Sequence, residues 1–221
     1  MATMTEHSSG FSPIFSPTGA IAQRQQIALF GTSGDPPSVG HQTILRHLSQ
    51  NYDLCVVWVA DNPFKSHQAP LVHRLAMMDL TIADLAPYCS NVGLYPEMSH
   101  RRTIHTLDAA AKVWTGAEFT LVIGADLVPQ LPTWYAAAEL LARVKLLVMP
   151  RQGYHLDAEA VMTVEAMCPA VQFAPPQTWI PDVSSSDYRN GGNRSVIIPS
   201  VAAYIEQEHL YEWQTASPAI P

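Results

Sequence analysis

The stretch Ile27-Ala-Leu-Phe-Gly-Thr-Ser-Gly-Asp-Pro-Pro-Ser-Val-Gly-His41 decides the fold. A short apolar run, Ile27 to Phe30, stops at Gly31. A loop rich in Gly, Ser, Pro and Asp follows, and Gly40-His41 opens a helix. A buried strand, a tight loop and a helix start together make an anion site. The first amides of a helix have no intrahelical acceptor, and its dipole is positive at that end. His41, in the first turn, can donate to a phosphate oxygen. The segment predicts a phosphate held against an imidazole.

Outward from this stretch, short apolar runs alternate with longer helical patterns. Strands are predicted at Ile27–Phe30, Leu54–Ala60, Val92–Tyr95, Phe119–Ile123, Lys145–Met149 and Val171–Phe173. Helices are predicted at Gly40–Ser49, Val72–Ala86, Thr103–Trp114, Tyr135–Arg143, Ala158–Met167 and Ser200–Gln207. Val, Leu, Ile and Phe fill the strands without polar alternation, as in strands covered on both faces. The class is therefore α/β, a Rossmann-like doubly wound parallel sheet. Ligands bind such sheets at the carboxyl ends of the strands. Gly31 to His41 follows the first strand, Asn62-Pro-Phe-Lys65 the second, and Gly124-Ala-Asp126 the fourth. No internal repeat is seen.

The chain has 221 residues, enough for one domain with a real core. That domain is placed at residues 26–212, between a flexible N-terminal tail, 1–25, and a C-terminal tail, 213–221. A net charge of −7 argues against nucleic acid as a partner. With 48% hydrophobic and only 14% charged residues, the chain is not disordered. Cys55, Cys89 and Cys168 are widely spaced and form no CxxC pair or metal pattern, which suits a reducing compartment. No apolar run approaches a membrane span, so no membrane partner is expected. The first two dozen residues lack the basic and apolar regions of a secretory signal, and a cytoplasmic location is expected.

Two further constellations carry chemistry. In Leu121-Val-Ile-Gly-Ala-Asp126, Asp126 follows a strand and can accept from ribose hydroxyls. Trp134, a few residues on, offers a flat face for an aromatic ring. In Val183-Ser184-Ser185-Ser186-Asp187-Tyr188-Arg189, serines at a helix start and an arginine one turn on form a second phosphate cradle.

The first loop resembles the (H/T)xGH signature of the nucleotidylyltransferase superfamily, G-G-T-F-D-P-x-H-x-G-H in its fuller form. Gly31, Ser33, Asp35-Pro36, Gly40 and His41 match, while Gly34 stands for the usual aromatic and Ser38 for the first histidine. That position contacts phosphate in the superfamily, and a serine hydroxyl keeps a single donor. The stretch Gly124 to Trp134 resembles the G-x-D…W of bacterial nicotinate mononucleotide adenylyltransferases, where the tryptophan stacks on the pyridine. Ser184 to Arg189 resembles I-S-S-T-x-x-R of the same superfamily. Asn62-Pro-Phe-Lys65, with His73-Arg74 and Met77, resembles P-P-H-K…HR-xx-M, which assigns Lys65 to the mononucleotide phosphate; His73 and Arg74 are read as caps or solvated residues. Glu97 to Leu107 keeps Thr103 and Thr106-Leu107 of the family loop but carries Arg101-Arg102 in place of Ser-Tyr. Two arginines there could favour an acidic ring substituent or be a solvated pair. Met149-Pro-Arg151-Gln-Gly-Tyr154 resembles R-R-P-G-Y.

The resemblance covers Ile27 to about Tyr211. It implies a nicotinate-nucleotide adenylyltransferase of NAD biosynthesis that joins ATP and nicotinate mononucleotide into deamido-NAD and pyrophosphate. It assigns catalysis to His41, Ser38 and Lys65. ATP falls to Gly31, Thr32, Ser33, Gly40, His41, Gly124, Asp126, Ser184, Ser185, Ser186 and Arg189. The mononucleotide falls to Lys65, Thr103, Trp134 and Arg151. Mg²⁺ is expected to arrive with ATP, with no protein metal site. Self-association is left open. The alternatives are another nucleotidylyltransferase of this fold, acting on nicotinamide mononucleotide or pantetheine phosphate, and a catalytically silent nucleotide-binding relative.

Overall fold

The computed structural model describes residues 24–61, 69–150, 154–175, 185–191 and 193–211, apart from the side chains of 187 and 191. Six strands form one sheet: β1 (Gln26–Thr32), β2 (Leu54–Val59), β3 (Val92–Leu94), β4 (Glu118–Gly124), β5 (Lys145–Met149) and β6 (Val171–Phe173). Their order is β3-β2-β1-β4-β5-β6, and every pairing is parallel. The helices are α1 (Val39–Asn51), α2 (Leu71–Leu85), α3 (Thr103–Val113), α4 (Ala137–Arg143), α5 (Ala158–Met167), α6 (Ser185–Gly191) and α7 (Pro199–Gln207).

Strand alternation divides the core. Ile27, Leu29, Val56, Trp58, Leu121, Ile123, Leu146 and Val148 point to one face, against Leu107 of α3, Leu140 of α4 and Val164 of α5. Ala28, Phe30, Cys55, Val57, Val122, Leu147 and Met149 point to the other, against Leu45 and Leu48 of α1 and Met78, Ile82 and Leu85 of α2. Both faces are apolar, which is why the strands read as continuous hydrophobic runs. Each fully buried Leu or Ile contributes roughly 1.5–3 kcal/mol. A third cluster joins Met77 of α2 to Tyr188, Val196, Ile197, Ile198, Val201 and Ile205, so the C-terminal helices pack on α2 rather than on the sheet.

β1 lies between β2 and β4: the chain runs outward from β1 through β2 to β3, then crosses back to β4 on the other side of β1. This is the switch point at which α/β sheets open a crevice at their carboxyl end. β1 also runs past its expected end, since Gly31 pairs with Trp58 and Thr32 with Val59. A Cβ on Gly31 would collide with the Trp58 indole, so glycine lets the strand continue beside that ring. Residues 124–134, for which no helix or strand is predicted above, contain a 3-10 helix at Ala125–Thr133. Pro129 and Pro132 lie inside it and lack the amides that an α-helix would need. α4 begins at Ala137 rather than Tyr135, because Ala136 is left-handed (φ 52°) and breaks the helix there. No helix among the described residues is long and apolar enough to cross a membrane.

Candidate active site

The loop after β1 closes on itself through His41. Ser38 is the N-cap of α1, and its main-chain N–H donates to His41 Nδ1 at 3.0 Å. Ser38 Oγ lies 2.9 Å from the same nitrogen. A main-chain amide can only donate, so Nδ1 carries no proton in this geometry. The ring proton of the neutral imidazole is therefore on Nε2, which lies 2.8 Å from Thr32 Oγ1. Thr32 Oγ1 also accepts from Gly34 N–H at 3.3 Å, and Gly34 supplies the positive φ of the turn (54°). The fold thus aims an imidazole N–H at the carboxyl end of the central strand. Ser38, expected to touch phosphate itself, is only 2% exposed and sits at the ring nitrogen away from Thr32.

The segment Ser185–Arg189 folds onto the loop after β1. Ser185 Oγ donates to the Pro36 carbonyl at 2.7 Å. Arg189 Nη1 donates to the Asp35 carbonyl at 2.6 Å, and Nη2 to Ser186 Oγ at 3.0 Å. Ser33 and Gly40 belong to the same loop and helix start. Gly124 ends β4, and a Cβ there would stand 2.5 Å from Asp126 Oδ1; its absence lets the carboxylate fold back over the strand end. Trp134 closes the 3-10 helix and is half-buried against the main core. Thr103 is the first residue of α3. Lys65, Arg151 and Ser184 lie outside the described residues.

Arg74 is neither a cap nor solvated. It is 1% exposed. Its Nε donates to the Ala69 carbonyl at 3.1 Å, and its Nη1 to the carbonyls of Ser33 and Ala60, each at 2.9 Å. Its Nη2 pairs with Asp61 Oδ1 at 2.8 Å. One guanidinium thus fixes the first loop to the end of β2 and to the residues on either side of 62–68. Asp35 makes a second tie, since its Oδ1 accepts from Ala69 N–H at 3.2 Å and from the Tyr211 hydroxyl at 2.6 Å. Burial, then the Asp35 carboxylate, hold the Tyr211 phenol well above its ordinary range. Thr106 is buried and donates to the Met98 carbonyl at 2.9 Å, anchoring the β3–α3 connection.

The sequence does carry a signal for Arg74. The buried positions of α2 are Arg74, Met77, Met78, Thr81, Ile82 and Leu85. Arg74 therefore stands on the apolar stripe, where a charged residue needs internal partners. Tyr211 and Asp35, far apart in the chain, offer no such signal.

A parallel sheet in this order, with a polar loop and an imidazole N–H at the carboxyl end of its central strand, is the architecture of a nucleotide-binding α/β protein. The cytidylyltransferase-like family model matches residues 29–191. A probable nicotinate-nucleotide adenylyltransferase of Synechocystis sp. is 38% identical over 84% of this chain and 98% of its own. One from Gemmatimonas aurantiaca is 28% identical over 84% of this chain and 92% of its own. The chain belongs to the nicotinate-nucleotide adenylyltransferases, within the cytidylyltransferase-like family. In fold it is similar to Plasmodium falciparum nicotinic acid mononucleotide adenylyltransferase complexed with NaAD, with a TM-score of 0.72, 21% identity, and coverage of 85% of this chain and 98% of that one.

Proposed function

We propose that the protein transfers the adenylyl group of ATP to nicotinate mononucleotide, giving deamido-NAD and pyrophosphate. A phosphate oxygen of the mononucleotide attacks the α-phosphorus in line. The new P–O bond forms as the bond from that phosphorus to the α–β bridging oxygen breaks, and pyrophosphate leaves with the electron pair. No protein nucleophile takes part, so the protein contributes position and charge stabilisation.

The observation that carries this reading is the Nε2–H of His41, with its tautomer set by the Ser38 amide and its direction by Thr32. A phosphate oxygen arriving at the loop can take the place of Thr32 Oγ1 as acceptor. A donor fixed before the reaction stabilises negative charge as it grows, with no reorganisation. Ser38 acts through the ring, as a positioning residue. Arg189, Ser185, Ser186 and Ser184 serve the triphosphate, and Asp126 the ribose. Lys65, Thr103, Trp134 and Arg151 serve the mononucleotide. Among the described residues no three His, Cys, Asp or Glu side chains gather to hold a metal ion. A Mg²⁺ brought in with ATP would neutralise charge on its phosphates.

The test is chromatography of the products from ATP and nicotinate mononucleotide, with pyrophosphate measured in parallel. Deamido-NAD and pyrophosphate in equal amounts are expected. ATP bound without pyrophosphate release would identify a silent relative instead.

A further inference from the structure

We infer that Tyr211 is a positioning residue for the ATP side of the site: through Asp35 and Tyr188 it sets the loop after β1 against the segment that carries Arg189. The inference rests on the function proposed above, which gives that loop and Arg189 to ATP. Tyr211 touches both partners at once. Its hydroxyl donates to Asp35 Oδ1 at 2.6 Å, in the middle of the loop between Thr32 and Ser38. Its ring meets the Tyr188 ring edge to face, with centroids 5.8 Å apart. Tyr188 directly precedes Arg189, which donates to the Asp35 carbonyl at 2.6 Å. The contacts close a circuit, from Asp35 to Arg189, from Tyr188 to Tyr211, and from Tyr211 back to Asp35.

The backbone is shaped for this contact. α7 ends at Gln207, and the chain after it is left-handed at His209 (φ 52°) and again at Tyr211 (φ 55°). Neither residue is a glycine, so the surrounding contacts must hold both positions against strain. At Tyr211 the result is a hydroxyl aimed at a carboxylate that is only 3% exposed. A carboxylate so deeply buried needs donors, and the Ala69 N–H and the tyrosine hydroxyl converge on the same oxygen. Burial first, then Asp35, keep the phenol protonated against the pull of Arg189 and Arg74, so it remains a donor across the working pH range. Charge links this contact to ATP. The loop is assigned to receive a triphosphate, which a carboxylate turned toward it would repel. With both donors on Oδ1, the carboxylate is held toward residue 69 and the C-terminal turn, while the carbonyl of the same residue holds Arg189. Without the hydroxyl, the carboxylate is short of a donor and can claim the Arg189 guanidinium, which is then lost to phosphate.

The experiment compares wild type with Tyr211→Phe, Asp35→Asn, the double variant and Ile205→Ala. ATP with Mg²⁺ is titrated calorimetrically into each, kcat and both KM values are measured with ATP and nicotinate mononucleotide, and the thermal midpoint is recorded. Tyr211→Phe keeps the ring against Tyr188 and loses only the hydroxyl. Its Kd and KM for ATP should rise roughly five- to fiftyfold, up to the worth of one hydrogen bond to a charged group, with the KM for the mononucleotide within about twofold. In Asp35→Asn the side chain is neutral, so adding Tyr211→Phe should change ATP binding by less than about threefold. Ile205→Ala, buried in the same cluster, should lower the midpoint and leave the ATP constants unchanged. Equal losses for ATP and mononucleotide, an ATP affinity unmoved in Tyr211→Phe, a full effect of Tyr211→Phe in the Asp35→Asn background, or ATP constants that follow the midpoint in Ile205→Ala would each overturn the assignment. If Asp35→Asn does not fold, Tyr211→Phe against Ile205→Ala still decides. Wild type that binds ATP but releases no pyrophosphate would refute the proposed activity, while the titrations would still decide the role of Tyr211. Wild type that binds no ATP would refute both.

Discussion

Thr32 Oγ1 and His41 Nε2 stand 2.8 Å apart, so the last residue of β1 and the first turn of α1 close the loop between them. The contact gives the imidazole a direction, and the Ser38 amide on Nδ1 gives it a tautomer. The threonine hydroxyl accepts from the same Nε2–H that the proposed mechanism offers to a phosphate oxygen.

Ser38→Ala keeps the amide that sets the tautomer and loses the hydroxyl at 2.9 Å from Nδ1. Turnover should fall only a few-fold to about tenfold, in line with one modest hydrogen bond. Ser38→Thr should be nearly silent. Steady-state kinetics of both variants check this. A loss beyond about a hundredfold in the alanine variant would mean that the hydroxyl itself meets phosphate.

Arg74→Met keeps much of the stem but strips the carbonyls of Ser33, Ala60 and Ala69 of their donor. Asp61 is exposed and can be rehydrated, so the cost lies mainly in the buried carbonyls. A loss of about 2–4 kcal/mol is expected in urea unfolding. Arg74→Lys should recover less than half, because an ammonium cannot span those directions. A loss below about 0.5 kcal/mol for methionine would show that water replaces the guanidinium.

Gly31→Ala drives a methyl group into the Trp58 indole, which is buried on the neighbouring strand. Overpacking of this kind costs about 1–3 kcal/mol. Adding Trp58→Leu should return part of the stability. Thermal unfolding of the single and double variants measures the coupling, and simple additivity would contradict the contact.

The main core was readable from the sequence because both faces of the sheet are apolar. Val and Leu runs mark the strands, and the observed ends differ from the expected ones by a residue or two. The two-residue extension of β1 has a local cause, the glycine that lets the strand pass the Trp58 indole. The strand, loop and helix start around His41 are legible in the sequence, but the inward turn of Ser38 is not. Its orientation depends on an imidazole that accepts where a capping-box glutamate would. Arg74 is not legible from residue type, since arginine is ordinarily a surface residue, and only its place on the helix stripe marks it. The latch of Arg189 on Asp35 and of Tyr211 on the same residue joins chain ends that no periodicity relates. The C-terminal cluster on α2 is likewise a product of packing, not of local pattern.

Cys55 is fully buried, and burial, then the neighbouring Cys89, push its thiol from 9.0 up to about 12. The folded state therefore holds this proton more tightly than the unfolded chain. Its contribution is complete below pH 9 and is lost as pH rises toward about 12. Cys55→Ala should show a shallower alkaline decline in unfolding free energy than wild type between those values, whatever its stability at neutral pH. Identical slopes would contradict the shift.

The most direct test of the account is single-turnover pyrophosphate release by wild type and His41→Ala, with the unfolding midpoint of each measured alongside. The imidazole N–H is predicted to act in the transition state, so the alanine variant should turn over roughly 10²–10³-fold more slowly at a nearly unchanged midpoint. A correctly folded variant with near-normal turnover would remove His41 from the chemistry and, with it, the role assigned to the loop between Thr32 and Ser38.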